Sequence, residues 1–340
     1  MILGDGDDRV DAGQRLEEKF GPEPGQPVLE IAGILAGLLG AGHAVELIVT
    51  QPDRPSGRGR KLTAPPVKRF ALERSIAVLQ PERIRKDQAA FETIRDVRAD
   101  SHVVVAYGQI IPASVIDLPR HHSINVHFSL LPKYRGACPV QWALLNGEER
   151  TGVTVFRLNE KMDEGEVLAT TETDIRAGEN AGDLEDRLAR IGADLLLETL
   201  TRIDTIVPVS QDHEKATLAP KIRKEDGALD WTSEAVRVDR KVRAFTPRPS
   251  AYILFKERRL ILLKGMVLAG TKDKGAPGEV VAVRREGIDV RCGDQTLYRI
   301  QRLQPENKGP MDAFAFSLNG RIRPLDVLMG RTGDDHSSRR

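Results

Sequence analysis

Cysteine is almost absent: Cys138 and Cys292 are the only two in 340 residues. Two thiols so far apart form neither a disulfide framework nor a metal-ligand pattern, and they fit a reducing cytoplasm. Long hydrophobic runs are absent as well. The most apolar stretch, residues 31–45 between Glu30 and Glu46, falls short of the roughly 20 residues needed to span a bilayer. It reads as a buried helix. The segment ahead of it is acidic, which excludes a secretory signal and an Arg-rich transit peptide. A glycine-rich nucleotide phosphate loop is missing, as is any His/Cys cluster at metal spacing, so no metal is expected. Net charge is nearly missing too, at +1.

The charge that exists is localised. Residues 1–27 carry seven acidic and three basic residues, a net of −4. Residues 51–70 carry six basic and one acidic, a net of +5, and residues 221–265 carry twelve basic and six acidic, a net of +6. Either basic segment alone reads as ordinary solvated surface. Two of them in a near-neutral chain suggest a localised polyanion-binding face. The composition, 30% charged and 40% hydrophobic, is ordinary for a soluble globular protein, and the length suggests about two domains.

Residues 1–27, rich in Asp, Glu, Gly and Pro, are expected to be a disordered tail. From residue 28 helices and strands alternate: helix 28–41, strand 44–50, helix 70–75, strand 77–79, helix 88–98, and a continuous apolar strand at 102–106. A strand around 124–128 follows, then helix 140–146 and strands 152–158 and 166–171. Leu184, Leu188, Ile191 and Leu195 recur at helical spacing in an amphipathic helix over 183–204. Alternation of this kind predicts an α/β domain with a Rossmann-like, mostly parallel sheet over 28–207. Within it, Pro55, Pro65 and Pro66 flank a basic glycine-containing segment and predict an extended loop over 51–68. Residues 208–222 read as a linker. After helix 234–244, short strands separated by Gly and Lys turns predict a small OB-like β-barrel over 223–330, with a tail at 331–340.

The most informative stretch is Ile124-Asn125-Val126-His127-Phe128-Ser129-Leu130-Leu131-Pro132. Ile124, Val126 and Phe128 alternate with Asn125 and His127, which is strand spacing, and residues i and i+2 of a strand share a face. An amide and an imidazole would therefore project side by side near the carboxyl end of a strand, where open α/β sheets bind ligands. A half-buried strand with a merely solvated polar face satisfies the same spacing. Five further histidines, His43, His102, His121, His122 and His213, show no partner spacing and read as surface or packing residues.

Asn125-x-His127-x-Ser129-Leu130-Leu131-Pro132, followed by Lys133-Tyr134-Arg135-Gly136, resembles the signature of the 10-formyltetrahydrofolate-dependent formyltransferases. The likeness runs over about residues 40–330. It implies transfer of a formyl group from 10-formyltetrahydrofolate, as co-substrate, to an amine. It implies Asn125 and His127 as catalytic residues, joined by Asp163 from the loop Met162-Asp163-Glu164-Gly165. Asn125 would donate to the oxygen that becomes anionic. His127 would serve the same oxygen or shuttle a proton, and Asp163 would orient His127 or accept the proton if burial raises its pKa. Alone, an Asp before a Gly is usually a turn residue. Ser129, Leu130, Leu131 and Pro132 resemble the folate-contacting loop, and residues 103–112 border the same pocket or pack beside it. Phe128 and Cys138 stand where the family usually has Ala.

The segment Gln51-Pro52-Asp53-Arg54-Pro55-Ser56-Gly57-Arg58-Gly59-Arg60-Lys61-Leu62 is similar to the loop by which tRNA-directed members of the family engage an acceptor stem. Arg54, Arg58, Arg60, Lys61 and Lys68 are the candidate tRNA contacts. The resemblance implies initiator methionyl-tRNA as the acceptor, and a cytoplasmic monomer without a membrane partner. Lys221-Ile222-Arg223-Lys224 and Asp230-Trp231 match the family's second domain, whereas Arg248 and Ser250 replace its usual Trp and Gly. Three alternatives stay open: an amino-sugar or nucleotide acceptor, water as acceptor, and a catalytically impaired RNA-binding protein. One departure stands out. The family opens with a strand and a Gly-Thr-Pro-x-Phe-Ala turn, whereas this chain has Gly21-Pro22-Glu23-Pro24-Gly25-Gln26-Pro27. Either another segment, with 28–31 the candidate, supplies the first strand, or its neighbours lack a partner. An altered gene start or a frameshift would account for the departure.

Overall fold

The computed structural model describes residues 2–5, 28–56, 61–272, 274–318 and 321–330. The chain divides into two compact units, one drawn from residues 1–139, 150–174 and 185–220, the other from 140–149, 175–184 and 221–340.

The first unit contains β1 (Ile2–Asp5), β2 (His43–Val49), β3 (Arg54–Ser56), β4 (Lys61–Thr63), β5 (Ala77–Leu79), β6 (Ser101–Val104), β7 (Ser123–His127), β8 (Arg135–Gly136), β9 (Arg150–Arg157), β10 (Val167–Asp174) and β11 (Leu218–Ala219). Seven of these form one sheet in the order β10-β9-β7-β6-β1-β2-β5. The β2–β5 and β6–β7 pairs are parallel, while β1 and β9 run against their neighbours. Val103 and Val105 are buried and Val104 is half-buried, which is why residues 102–106 read as an unbroken apolar run. The helix Gln88–Val97 starts where the Asp87 carboxylate accepts from the Ala90 amide at 2.9 Å. It stops at Arg98 in the left-handed region, as N-cap and C-terminal chemistry dictate. Its buried face brings Ile94 into a cluster with Leu47, Ile84 and Val115.

The second unit holds helix Ala235–Ala244 and an antiparallel sheet of β12 (Ala251–Phe255), β13 (Arg258–Lys272), β14 (Val280–Arg284), β15 (Gly287–Arg291), β16 (Thr296–Pro305) and β17 (Met311–Asp312). The order is β12-β13-β16-β15-β14, with β17 on β16. Met329 bridges to Leu254 of β12, and Val327 bridges to Glu279 beside β14. The carboxyl-terminal segment thereby links the two outer strands and rounds the sheet into a barrel.

Several expectations change. Residues 2–5, assigned to a disordered tail, form β1, an interior strand of the sheet. Ile2 pairs with Leu47 and His102, and Asp5 with His43. The position between β2 and β6 is therefore filled, antiparallel to both. Residues 6–27 and 331–340 lie outside the described residues. Val28–Gly40 is a helix throughout, so 28–31 supplies no strand. The loop at 51–68 contains a ribbon, with Arg54 opposite Thr63 and Ser56 opposite Lys61, and Pro66 opens helix Pro66–Leu72 at a position that tolerates its missing N–H. Residues 208–220, expected within a linker, belong to the first unit: β11 pairs with β8, and Gln211 is buried.

Candidate active site

Asn125 and His127 sit at the carboxyl end of β7, and Ile124, Val126 and Phe128 are buried. Asn125 is paired in the sheet with Val104 and Phe156. Its side chain is half-buried. His127 is buried, with Phe156 edge-on at 6.4 Å.

The His127 Nε2 donates to the Tyr134 carbonyl oxygen at 2.9 Å. A carbonyl only accepts, so Nε2 carries the proton and Nδ1 of the neutral ring presents a lone pair. Nδ1 lies 3.9 Å from Asp163 Oδ2. That is too long for a hydrogen bond but short for a charge interaction. Burial lowers the His127 pKa, against the opposing influence of the Asp163 charge and the Tyr134 hydrogen bond. At neutral pH the site thus holds a neutral imidazole, its basic nitrogen turned to a carboxylate. Such a pair can take up a proton and shelter the resulting charge.

The Asp163 loop is held from two sides. Asp163 adopts φ +54°, a left-handed turn conformation that Asp tolerates better than most residues. A Cβ at Gly165 would run into the Arg157 carbonyl, which accounts for the glycine two residues on. On the other side, the Gly136 amide donates to Asp163 Oδ2 at 2.8 Å. Gly136 has φ +124°, and a Cβ there would lie 2.6 Å from the Ala219 carbonyl oxygen. The Arg135-Gly136 pair thus delivers a backbone donor because glycine lets β8 approach β11 closely.

Behind the loop lies a polar cluster that sequence reasoning missed. Gln211 Nε2 donates to the carbonyl oxygens of Asp163 (2.9 Å) and Gly165 (2.7 Å). Its Oε1 accepts from Arg135 Nε and Nη2 at 3.1 and 2.7 Å. Arg135 also reaches Glu164 at 3.4 Å and donates to His213 Nδ1 at 3.2 Å. Arg135 was visible in the sequence only as part of a motif, and Gln211 carried no signal at all.

The segment after β7 is knitted to β9. Thr154 Oγ1 donates to the Ser129 carbonyl and accepts from the Leu131 amide. The buried Ser129 hydroxyl donates to the Lys133 carbonyl, so Ser129 shapes the turn. Leu130, Leu131 and Pro132 are half-buried and offer apolar surface. A cavity of about 220 Å³ lies at the carboxyl ends of β2 and β6, lined among others by Val49, Gln51, Val105, Tyr107 and Ile111. The Tyr107 hydroxyl is buried with no partner among the described residues.

Of the candidate tRNA contacts, Arg54 and Lys61 are exposed on the ribbon. Lys68 is already engaged, its Nζ 2.9 Å from both Asp53 oxygens. Arg58 and Arg60 lie outside the described residues. Among the described residues no His, Cys, Asp and Glu cluster could hold a metal ion, and no helix is long and apolar enough to cross a membrane.

The chain is thus a two-unit α/β protein whose Rossmann-like sheet carries an amide and an imidazole at the carboxyl end of β7, with a carboxylate beside the imidazole. Residues 33–200 match the formyl transferase model and residues 221–320 its C-terminal domain model, so the chain belongs to the formyl transferase family. It is 46% identical to the methionyl-tRNA formyltransferase of Solibacter usitatus, over 86% of this chain and 94% of that one. It is 43% identical to the methionyl-tRNA formyltransferase of Geobacter sulfurreducens, over 87% and 92%. Among solved structures, HypX from Aquifex aeolicus in complex with tetrahydrofolic acid matches with a TM-score of 0.55 at 20% identity, over 76% of this chain and 47% of that one. The sugar 3N-formyl transferase WlaRD matches with a TM-score of 0.57 at 18% identity, over 83% and 94%. These two likenesses speak to the fold alone.

Proposed function

We infer that the protein transfers the formyl group of 10-formyltetrahydrofolate to the α-amino group of initiator methionyl-tRNA, giving N-formylmethionyl-tRNA for translation initiation. Family membership and the named relatives support the reaction. The observation that carries the chemistry is the basic His127 Nδ1 facing Asp163 at 3.9 Å, one residue beyond Val126 from the Asn125 amide. The cavity beside β6 suits a flat heteroaromatic ring, and Tyr107 offers that ring a polar edge. Burial pushes the Tyr107 pKa up to about 12, so its hydroxyl stays a donor. Leu130, Leu131 and Pro132 would flank the rest of the folate.

The folate supplies the formyl carbon and departs as its N10 amine. Asn125 donates its amide N–H to the formyl oxygen as that oxygen gains charge. His127 takes a proton from the attacking amine at Nδ1, directly or through one water, and Asp163 stabilises the imidazolium. His127 then returns the proton to the departing nitrogen. Arg54 and Lys61 would meet tRNA phosphates from the ribbon, Arg58 and Arg60 of the same sequence segment would add positive charge for them, and Lys68 would brace the ribbon through Asp53. The reading carries with it a cytoplasmic monomer, which sedimentation and fractionation would test.

The direct test is a transfer assay with methionyl-tRNA and labelled 10-formyltetrahydrofolate. Formylated tRNA is the expected product. Transfer to amino sugars or nucleotide amines but not to tRNA, or folate turnover without any amine, would overturn the assignment.

A further inference from the structure

We propose that Gln211 and Arg135 are positioning residues that set the distance between the Asp163 carboxylate and His127. The proposal rests on the acyl-transfer reading above. Asp163 sits in a left-handed turn, and the Gln211 side-chain amide spans the carbonyls of Asp163 and Gly165. Both of its N–H donors are used on the turn, and its oxygen is used on Arg135. Gln211 and Arg135 are each buried. Arg135 in turn grips Glu164, the residue between the two carbonyls, at 3.4 Å. The turn is therefore fastened at three consecutive residues by one continuous network. The Gly136 amide meets the Asp163 carboxylate from the neighbouring residue of Arg135, so a single dipeptide fixes both the turn and its carboxylate. Among the described residues neither the Gln211 side chain nor the Arg135 guanidinium hydrogen-bonds His127. They act on it through Asp163, and among the described residues the charged or titratable groups paired with Asp163 and Glu164 of the turn include His127, Arg135, His213 and Lys161.

The test is Gln211→Met, which keeps the length and volume of the side chain and removes its hydrogen bonds. The Asp163 charge raises the His127 pKa, so a relaxed turn lowers it. The expected result is a loss of about 100-fold in kcat, the usual effect of an ångström-scale misplacement, with KM for both substrates nearly unchanged. The acid limb of the kcat/KM profile moves to lower pH. The His127 imidazole, followed by NMR titration, shifts the same way. Gln211→Glu, which keeps the pairing with Arg135 and loses the donors to the turn, should behave alike. Parent-like kcat and an unmoved His127 titration in a folded variant would overturn the proposal. So would unfolding of both variants, which would make Gln211 a structural residue only. If the parent itself fails to formylate methionyl-tRNA, the functional reading falls, while the NMR titration still judges the positioning role.

Discussion

Replacing Asp163 by Asn isolates the contribution of one charge. The side chain keeps its shape, and its amide oxygen can still accept from Gly136, so the turn and the melting temperature should be preserved. What is lost is the anion 3.9 Å from His127 Nδ1. At an effective dielectric constant of about 20, an imidazolium and a carboxylate at that distance attract by about 4 kcal/mol. That attraction exists only once His127 has taken a proton, so it belongs to the transition state rather than to bound substrate. Its loss corresponds to about a thousandfold in rate. Single-turnover formylation at saturating substrates is the assay, since it separates chemistry from product release. kcat should fall by that factor with KM little changed. The acid limb of the kcat/KM profile should move to lower pH, because an influence that raises the His127 pKa is gone. A rate within threefold of the parent, with the limb in place, would show that Asp163 is only a turn residue.

Asn125→Ala should cost about 100- to 1,000-fold in kcat, the usual loss for one oxyanion donor, with melting unchanged; near-normal turnover would remove Asn125 from the mechanism. Lys61→Ala should raise KM for tRNA without changing kcat, and the parent's tRNA affinity should fall steeply with salt; salt-independent binding would count against the ribbon as a phosphate contact. His102 gives a pH prediction for stability. Burial lowers its pKa from 6.5 to about 4, so the unfolded chain binds the extra proton between those values. Stability should be full above about pH 6.5 and decline as pH falls toward 4. Denaturant titrations of His102→Gln should show a shallower decline over that window.

The strand bearing Asn125 and His127 was legible because alternation over five residues is a physical consequence of the pleat. The barrel strands were legible for a related reason: turn residues recur between short apolar runs. Asp163 was not legible from the residues alone, since an Asp before Gly has an ordinary turn explanation, and only the family resemblance lifted it above that. Gln211 was invisible because its partners, at residues 135, 163 and 165, are remote in sequence, and a hydrogen bond across such separation leaves no periodicity. Ile2–Asp5 is too short to show a period and lies among acidic and glycine residues, so composition outvoted it. The Arg54–Thr63 ribbon was hidden by prolines, which suit edge positions as well as loops.

The bridges from Val327 and Met329 bear on shortened forms of the protein. A chain ending before residue 327 would expose the flanks of β12 and β14 together, two rows of open backbone groups that recruit strands from other molecules. Nonsense or proteolytically clipped products should therefore be lost to aggregation rather than persist as smaller enzymes.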